Sequence, residues 1–260
     1  MSSPSRKAHE AFLQPAKTDV SVWRYLDLAK YLSILHSRSL FFPRATQLGD
    51  PFEGSVSRQA VEARQAFLGA RPIKEGATSV QHAEQMAKSN ALWGEALKNM
   101  VQEYFVSCWH LNEHESAAMW KLYSASGYSV AIRTKYSTLA KELPVVANLG
   151  LVKYIDYDAD FMPYGNSLHT IMHKRRSFEH EREVRAVVWE LNCKEVAPYL
   201  LKGATEWGLE VPVEPEHLIE MVLVSPFAPP WFYGVVRAAT EKVCPSLVVA
   251  GSSMSRSPLY

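Results

Sequence analysis

A charged segment that runs into an apolar one constrains the fold of this chain more than any other stretch. Residues 178–191 read FEHEREVRAVVWEL, with glutamates at positions 179, 181 and 183 ahead of a valine-rich run. If the segment is extended, these glutamates and Arg185 share one face, while Val184, Ala186 and Val188 share the other. The pattern predicts a buried strand with carboxylates at its entrance, and we expect Glu181 and Glu183 to border a pocket.

Two interpretations of these carboxylates remain open from the residues alone. Closely packed like charges raise the apparent pKa of at least one group unless a cation such as Arg185 compensates, and such groups often mark a site of chemistry. In the alternative, the segment is the end of a helix, on which Glu179 and Glu183 are neighbours and Glu181 pairs with Arg185 on a solvated face.

Composition limits the class of protein. The 260 residues are 47% hydrophobic and 21% charged, which suits a globular chain with a sizeable core. With 28 basic and 27 acidic residues, the net charge of +1 gives no overall field that favours nucleic acid or membranes. The cysteines at positions 108, 193 and 244 lack a CxxC pattern, so we expect no disulfide framework, no cysteine zinc site and a cytoplasmic location. We expect neither secretion nor a membrane span.

Segments of strand-like and helix-like periodicity alternate along the chain and predict an α+β fold, in which helices pack on a mixed β-sheet. Residues 1–20 are polar and predict a flexible N-terminal segment. Residues 21–260 are predicted to form a single domain with a helical insertion at about 55–102. The stretch SLHTIMHKRRSF at 167–178 is predicted to be a helix with a basic end.

Several short motifs occur in order over roughly residues 22–189. They are WRY at 23–25, LFF at 40–42, GDPFE at 49–53, SCW at 107–109, MWKLY at 119–123 with Gly127, and Lys174, Phe178, His180, Glu181, Glu183 and Arg185. Together they resemble the DUF2971 family of bacterial and phage-associated proteins, although Gly49, Phe178 and His180 depart from the family's usual Asn, Trp and Tyr. The family has no assigned reaction, and phage defence, toxin action and housekeeping are all compatible contexts.

The order of these elements is also similar, more distantly, to that of ADP-ribosyltransferases. This resemblance implies an ADP-ribosyltransferase-like core that takes NAD as substrate, cleaves its nicotinamide–ribose bond and modifies a macromolecular acceptor, either nucleic acid or protein. The expected site residues are catalytic Glu183, Glu181 and Ser107, NAD-binding Arg24, Tyr25, Trp120 and Tyr123, and supporting Asp50, Glu53 and Arg185.

These residue types suit that chemistry. Loss of nicotinamide passes through an oxocarbenium-like state, so a carboxylate near the ribose hydroxyls is useful, with Ser107 in support. Glu183 lies nearest the apolar strand and is expected to matter more than any other carboxylate. The planar donor fork of Arg24 can bind a pyrophosphate, and one of the three aromatic residues can stack on nicotinamide.

A metal-dependent nuclease is the first alternative. Its carboxylates would be Asp50 and Glu53 in the GDPFE loop together with Asp156 and Asp158, which could hold magnesium, although the lysine expected of such a motif is missing. The same loop is also predicted to be a structural turn, with Asp50 anchored by backbone or arginine hydrogen bonds and Phe52 in the core.

A binding module without catalysis is the second alternative. Trp109, Trp120 and Tyr123 could stack on bases, while the basic run at 173–176 contacts phosphates or completes a helix end. The histidine pairs at positions 110 and 114 and at 169 and 173 do not form HExxH, so no metal site is predicted.

Overall fold

The computed structural model describes residues 9–123 and 127–258. In these ranges the strands are β1 (Ser21–Asp27), β2 (Ser39–Pro43), β3 (Tyr104–Leu111), β4 (Ser129–Lys135), β5 (Ala147–Leu151), β6 (Lys153–Ile155), β7 (His173–Arg175), β8 (Glu183–Trp189), β9 (Gly208–Pro212), β10 (Met221–Val224) and β11 (Val249–Gly251). The α-helices are α1 (Leu28–Ser37), α2 (Arg58–Gly69), α3 (Ser79–Val101), α4 (Ala117–Tyr123), α5 (Tyr136–Glu142), α6 (Leu168–Ile171), α7 (Glu190–Val196), α8 (Pro215–Leu218) and α9 (Pro230–Val243). Short 3-10 helices cover Ala45–Gln47, Arg176–Glu181, Pro198–Gly203 and Ser253–Ser255.

Among the described residues, seven strands form one sheet in the order β11-β10-β4-β1-β3-β8-β5. All neighbours in it are antiparallel except β10 and β11. Strands β2 and β9 form a separate antiparallel pair, and β6 and β7 a parallel one. The prediction of an α+β fold with a mixed sheet is therefore confirmed at this level.

Strand β8 is an interior strand of the sheet, and its residues have little exposed surface. It pairs with β3 on one side and β5 on the other, and every residue from Glu183 to Val188 is buried. Neither sequence interpretation of the charged segment describes its start fully. Residues 176–181 form a 3-10 helix, Arg182 takes a left-handed φ of 40°, and the strand begins only at Glu183.

Helix α1 begins where its sequence signals predict. Asp27 accepts a hydrogen bond from the backbone N–H of Lys30 at 2.8 Å and so caps the first turn. Tyr31, Ile34 and Leu35 recur on one face and are buried against the core, where the Tyr31 hydroxyl lies 2.8 Å from the Thr240 hydroxyl.

Helices α2 and α3 occupy the region of the expected insertion. Thr78 and Gln81 form a capping box at the start of α3. Of the 23 residues in α3, only Val101 is buried, so this helix covers little of the sheet. None of the helices in the described ranges combines the length and apolarity that a membrane crossing needs.

Part of the segment that precedes β1 packs against the sheet, within the residues 1–20 for which the sequence predicts a flexible segment. Phe12 is 5% exposed, and Leu13 forms a β-bridge with Leu151 at the outer edge of β5. Gly150 permits this approach, since a Cβ there would lie 2.7 Å from the Phe12 Cα. Residues 1–8 lie outside the described residues.

The stretch 167–178 is not the single helix that its sequence predicts. It forms the short helix α6, then β7, then the start of a 3-10 helix. The pairing of β7 with β6, which spans Lys153↔His173 to Ile155↔Arg175, takes the middle of the stretch away from helical structure.

Candidate functional site

A cavity of about 820 Å³ lies where β1 and β3 separate. Strand β1 pairs with β4 along its whole length, but with β3 only through Val22↔Leu111 and Trp23↔His110. Arg24, Tyr25 and Leu26 on one side of the resulting gap line the cavity, and so do Val106 and residues 108–110 on the other side. Its volume falls within the range of small-molecule pockets, roughly 300–1,000 Å³.

The structure brings most of the predicted site residues to this cavity. Both glutamates of the Glu-x-Glu segment border it. The predicted residues that line it are Arg24, Tyr25, Asp50, Glu53, Tyr123, Glu181, Glu183 and Arg185, whereas Ser107 and Trp120 are not part of its wall.

Arg185 is the centre of a buried ion-pair cluster. Its side chain is fully buried, and it donates to Glu183 at 2.7 and 2.9 Å and to Glu53 at 2.8 and 3.1 Å. It also donates to the carbonyl oxygen of Ile171 at 2.6 Å. Because both glutamates are held by one guanidinium in the bidentate geometry that arginine favours, the group is fixed in position.

Lys174 adds a second cation to the same cluster. Its ammonium donates to Glu181 and lies 3.4 Å from Glu183 and 3.8 Å from Glu53. Three carboxylates and two cations leave the cluster with a net charge of −1. The second oxygen of Glu181, Oε1, has no hydrogen-bond partner in the described part of the chain. Glu181 is thus the cluster's least engaged carboxylate.

The cluster also sets the ionisation of its members. Burial on its own would raise the pKa of Glu183, but the charges of Arg185 and Lys174 outweigh it and lower that pKa to about 2. Burial would lower the pKa of Lys174, yet the Glu183 and Glu181 charges raise it. Burial, followed by the Glu183 charge, raises the pKa of the Cys108 thiol well above its ordinary range. At neutral pH Glu183, Lys174 and Arg185 are therefore charged, and Cys108 stays a thiol.

Arg24 lies on β1 at the gap and is a second charged feature of the cavity. Its Nη2 donates to the Phe41 carbonyl oxygen at 2.9 Å, and its guanidinium lies 5.8 Å from the centre of the Trp109 ring. Its Nη1 is buried without a partner among the described residues. Burial lowers the pKa of Arg24 to about 10, so it remains charged at neutral pH. A half-buried cation with a buried, unpartnered donor is suited to an anion.

The predicted aromatic residues take different positions. Tyr123 is 48% exposed at the cavity wall and is free to stack on a ligand. Tyr25 also lines the cavity, and its hydroxyl accepts a hydrogen bond from the Ser116 N–H at 2.8 Å. Trp120 was predicted to bind NAD but is fully buried. It packs edge-on against Tyr25 at 4.9 Å and donates to Glu115 at 2.8 Å, so it supports the wall from behind.

Ser107 does not occupy the predicted position beside a ribose. It is fully buried, and its hydroxyl accepts a hydrogen bond from the Trp109 indole at 3.1 Å. Ser107 lies on the same face of β3 as Trp109, whose indole donates to its hydroxyl, whereas Cys108 on the opposite face lines the cavity beside Arg185.

The GDPFE loop closes one side of the cavity. The prediction that Asp50 is anchored is confirmed, because it accepts hydrogen bonds from Arg175 at 2.7 and 3.2 Å and from the Phe52 N–H at 3.1 Å. The prediction that Phe52 lies in the core is wrong. Its side chain is 38% exposed and packs on Tyr157 and on the guanidinium of Arg175.

The carboxylates of the nuclease alternative do not converge. Asp50 and Glu53 line the cavity but are paired with arginines, whereas Asp156 lies outside its wall and Asp158 pairs with Arg58 at the surface. Across residues 9–123 and 127–258, no three His, Cys, Asp or Glu side chains are grouped so that they could hold a metal ion.

Two of the three aromatic residues of the binding-module alternative are not exposed, whereas Tyr123 is. Trp109 and Trp120 are 2% and 0% exposed, respectively. In the basic run, His173 is buried, while Lys174, Arg175 and Arg176 each pair with a carboxylate. Little of its positive charge is therefore left for phosphates.

Three residues of the site were not predicted from the sequence. Lys174 belongs to the motif that resembles DUF2971, but its assignment to a helix hid its pairing with Glu181. His110 and Cys108 line the cavity opposite Glu183 and Arg185 in the β3–β8 ladder. Which side chains of β3 face Glu183 and Arg185 depends on the pairing register of β3 with β8, and the sequence alone does not give that register.

No protein-family model matches this chain, and no curated protein matches it.

Proposed function

We propose that this protein is an ADP-ribosyltransferase-like enzyme that binds NAD in the cavity and cleaves the bond between nicotinamide and ribose. One observation carries the proposal. A single cavity is lined both by Arg24, a cation with a buried free donor, and by a carboxylate cluster of net charge −1. NAD combines an anionic pyrophosphate with a ribose that becomes positively charged as nicotinamide leaves, so it is complementary to both features.

Arg24 is assigned to the pyrophosphate. Its Nη1 lacks a partner in the described structure, and its neighbour Glu210 forms its hydrogen bond with Ser39 instead. A guanidinium nitrogen that is already buried loses little further hydration when an anion binds, which favours a charge-assisted hydrogen bond. Tyr123 lies partly exposed at the wall and can stack on a flat ring of the ligand.

Glu181 is assigned to the ribose. Its free Oε1 can accept a hydrogen bond from a ribose hydroxyl, while Lys174 holds the other oxygen. Glu183 and Glu53 are engaged by Arg185, so their part is to fix the cluster and to supply negative charge close to the developing cation. From the sequence, Glu183 is expected to matter most for catalysis among these carboxylates. Both oxygens of Glu183 accept hydrogen bonds from Arg185, whereas Oε1 of Glu181 has no partner among the described residues, so we assign the direct contact to Glu181.

The reaction is a substitution at C1′ of the ribose. The bond from C1′ to the nicotinamide nitrogen breaks, and its electron pair stays with that nitrogen, which neutralises the pyridinium ring. A nucleophile on the macromolecular acceptor, a nucleic acid or a protein, then bonds to C1′ and releases its proton to solvent. The wall contributes by stabilising positive charge on the ribose in the transition state.

The direct test is release of nicotinamide from NAD by purified protein, with candidate nucleic-acid and protein acceptors. We expect release in wild type and strongly reduced release in Glu181→Gln. The exposed Glu179 offers the matched control Glu179→Gln, which should behave as wild type. Absence of NAD turnover with every acceptor, together with magnesium-dependent cleavage of nucleic acid, would move the assignment to a nuclease.

A further inference from the structure

His110 is a buried residue that lines the cavity, and no function is predicted for it from the sequence. It lies on β3 directly opposite Glu183 and is 4% exposed. Its side chain lines the same cavity as the carboxylate cluster. Its Nδ1 lies 2.6 Å from the backbone carbonyl oxygen of Glu181, so the ring is tied to the residue that we assign to the ribose.

That contact fixes the hydrogen positions on the ring. A carbonyl oxygen can only accept a hydrogen bond, so Nδ1 carries the proton and donates it. In the neutral ring Nε2 is then an acceptor, and it is buried without a partner among the described residues. Burial lowers the pKa of His110, which keeps the ring neutral near pH 7. A buried acceptor without a partner is costly, and a ligand that supplies a donor removes that cost.

We propose that Nε2 of His110 accepts a hydrogen bond from a hydroxyl of the nicotinamide-bearing ribose, next to the hydroxyl bound by Glu181. This inference rests on the proposed function. Nε2 and the free Oε1 of Glu181 are both acceptors. Two acceptors on residues that line one cavity and are joined by the contact between His110 Nδ1 and the Glu181 carbonyl oxygen match a vicinal diol, which offers two donors. They disfavour phosphates or carboxylates, which are acceptors only.

The cavity is thereby divided by chemistry. The part near His110 and Glu181 takes hydroxyls, and the part near Arg24 takes the anion. A ligand with a terminal ribose beyond its pyrophosphate can satisfy both parts, whereas a ligand that ends at the pyrophosphate satisfies only the second. ADP-ribose and ADP are such a pair of probes, and neither contains the bond that the enzyme would cleave.

The experiment measures dissociation constants of ADP-ribose and ADP by titration calorimetry for wild type, His110→Asn and His110→Gln. Asparagine places an amide N–H near the position of Nδ1 and keeps the donor to Glu181 while it removes the acceptor. Glutamine can place an amide oxygen near the position of Nε2. We expect His110→Asn to weaken ADP-ribose binding roughly 2- to 12-fold, the effect of one net hydrogen bond, and to leave ADP binding unchanged. We expect His110→Gln to retain more of the preference for ADP-ribose.

The outcomes separate this inference from the proposed function. If wild type binds neither ligand, both fall. If wild type binds ADP-ribose and His110→Asn binds it equally well, or if both ligands weaken to the same extent, the role of His110 alone is overturned. A loss confined to ADP-ribose supports it, and the unchanged ADP affinity then also shows that the variant is folded.

Discussion

Arg185 donates to both carboxylate oxygens of Glu183, two positions earlier on the same face of β8, at 2.7 and 2.9 Å. Both side chains are almost fully buried. The charge of Glu183 is therefore compensated inside the protein, while Glu181, at the end of the preceding 3-10 helix, has one oxygen without a hydrogen-bond partner among the described residues. The two glutamates should respond differently to the same substitution.

Glu183→Gln should destabilise the protein strongly. Removal of one partner of a buried ion pair leaves Arg185 partly uncompensated and typically costs about 3–5 kcal/mol of the free energy of unfolding. Urea unfolding is the measurement. Glu179→Gln, at an exposed site in the same segment, should change the free energy by no more than about 0.5 kcal/mol. Equal stability of Glu183→Gln and wild type would show that the cluster does not hold the fold.

Glu181→Gln should reduce catalysis more than stability. Loss of an electrostatic contact with the developing ribose cation typically lowers turnover on the order of 10²-fold or more. The partly exposed pair with Lys174 contributes less to stability than the Arg185 pairs. Nicotinamide release and urea unfolding, measured on the same preparation, separate the two effects. Unchanged release would remove Glu181 from the mechanism.

Arg24→Gln should weaken the binding of NAD and of ADP alike. Hydrogen bonds to charged groups contribute about 1.5–3 kcal/mol, which corresponds to roughly 10- to 150-fold in affinity. Arg24→Lys keeps the charge but not the donor fork, so its affinity should lie between those of wild type and Arg24→Gln. The matched control is Arg133→Gln on β4, because Arg133 also lies over a tryptophan ring, at 5.6 Å from Trp23, yet outside the cavity wall. A similar loss in both glutamine variants would contradict the anion site.

Acid should reduce stability in two successive pH ranges. Burial lowers the pKa of His173 from 6.5 to about 4, so between these values the unfolded chain binds a proton that the folded protein does not, and stability falls as the pH is lowered. The ion pairs of Glu183 lower its pKa from 4.5 to about 2, and stability falls again through that range. Urea unfolding as a function of pH measures both steps. His173→Asn should flatten the upper step in part, because buried His110 contributes to it as well.

Asp50→Ala should lower the melting temperature because it leaves Arg175 without its partner and removes the acceptor for the Phe52 N–H. We expect a loss of about 1–3 kcal/mol in the free energy of unfolding. Asp158→Ala is the matched control, since Asp158 pairs with Arg58 at the same 2.7 Å but is 76% exposed. That variant should lose no more than about 1 kcal/mol. If Asp50→Ala retained both melting temperature and NAD binding, Asp50 would have neither a structural nor a functional role.

The sequence predicts the strands of this fold better than it predicts their faces. The apolar run after Glu183 identifies β8, and charge placement indicates that its entrance borders a pocket. Ser107 shows the limit. Residues 104–107 of β3 are all buried, so the sequence has no polar alternation to show which face meets the cavity.

Contacts between distant parts of the chain explain the other differences. Trp120 is enclosed because its partner Glu115 also accepts hydrogen bonds from Ser252 and Ser253 near the other end of the described chain. Residues 173–175 leave the predicted helix because they pair with β6, about 20 residues away. The local periodicity of the sequence gives no information about either of these long-range contacts.

The residues before β1 cover part of an exposed edge of the sheet. Strand β5 is the outermost strand of the sheet on its side, and an uncovered edge invites pairing with a second molecule and aggregation. The Leu151 N–H donates to the Leu13 carbonyl at 2.7 Å, and the Gln14 side chain donates to the Leu149 carbonyl at 2.8 Å, so part of this edge is already satisfied. Recombinant versions should therefore begin upstream of Phe12, because a shorter chain would expose the edge and lose solubility.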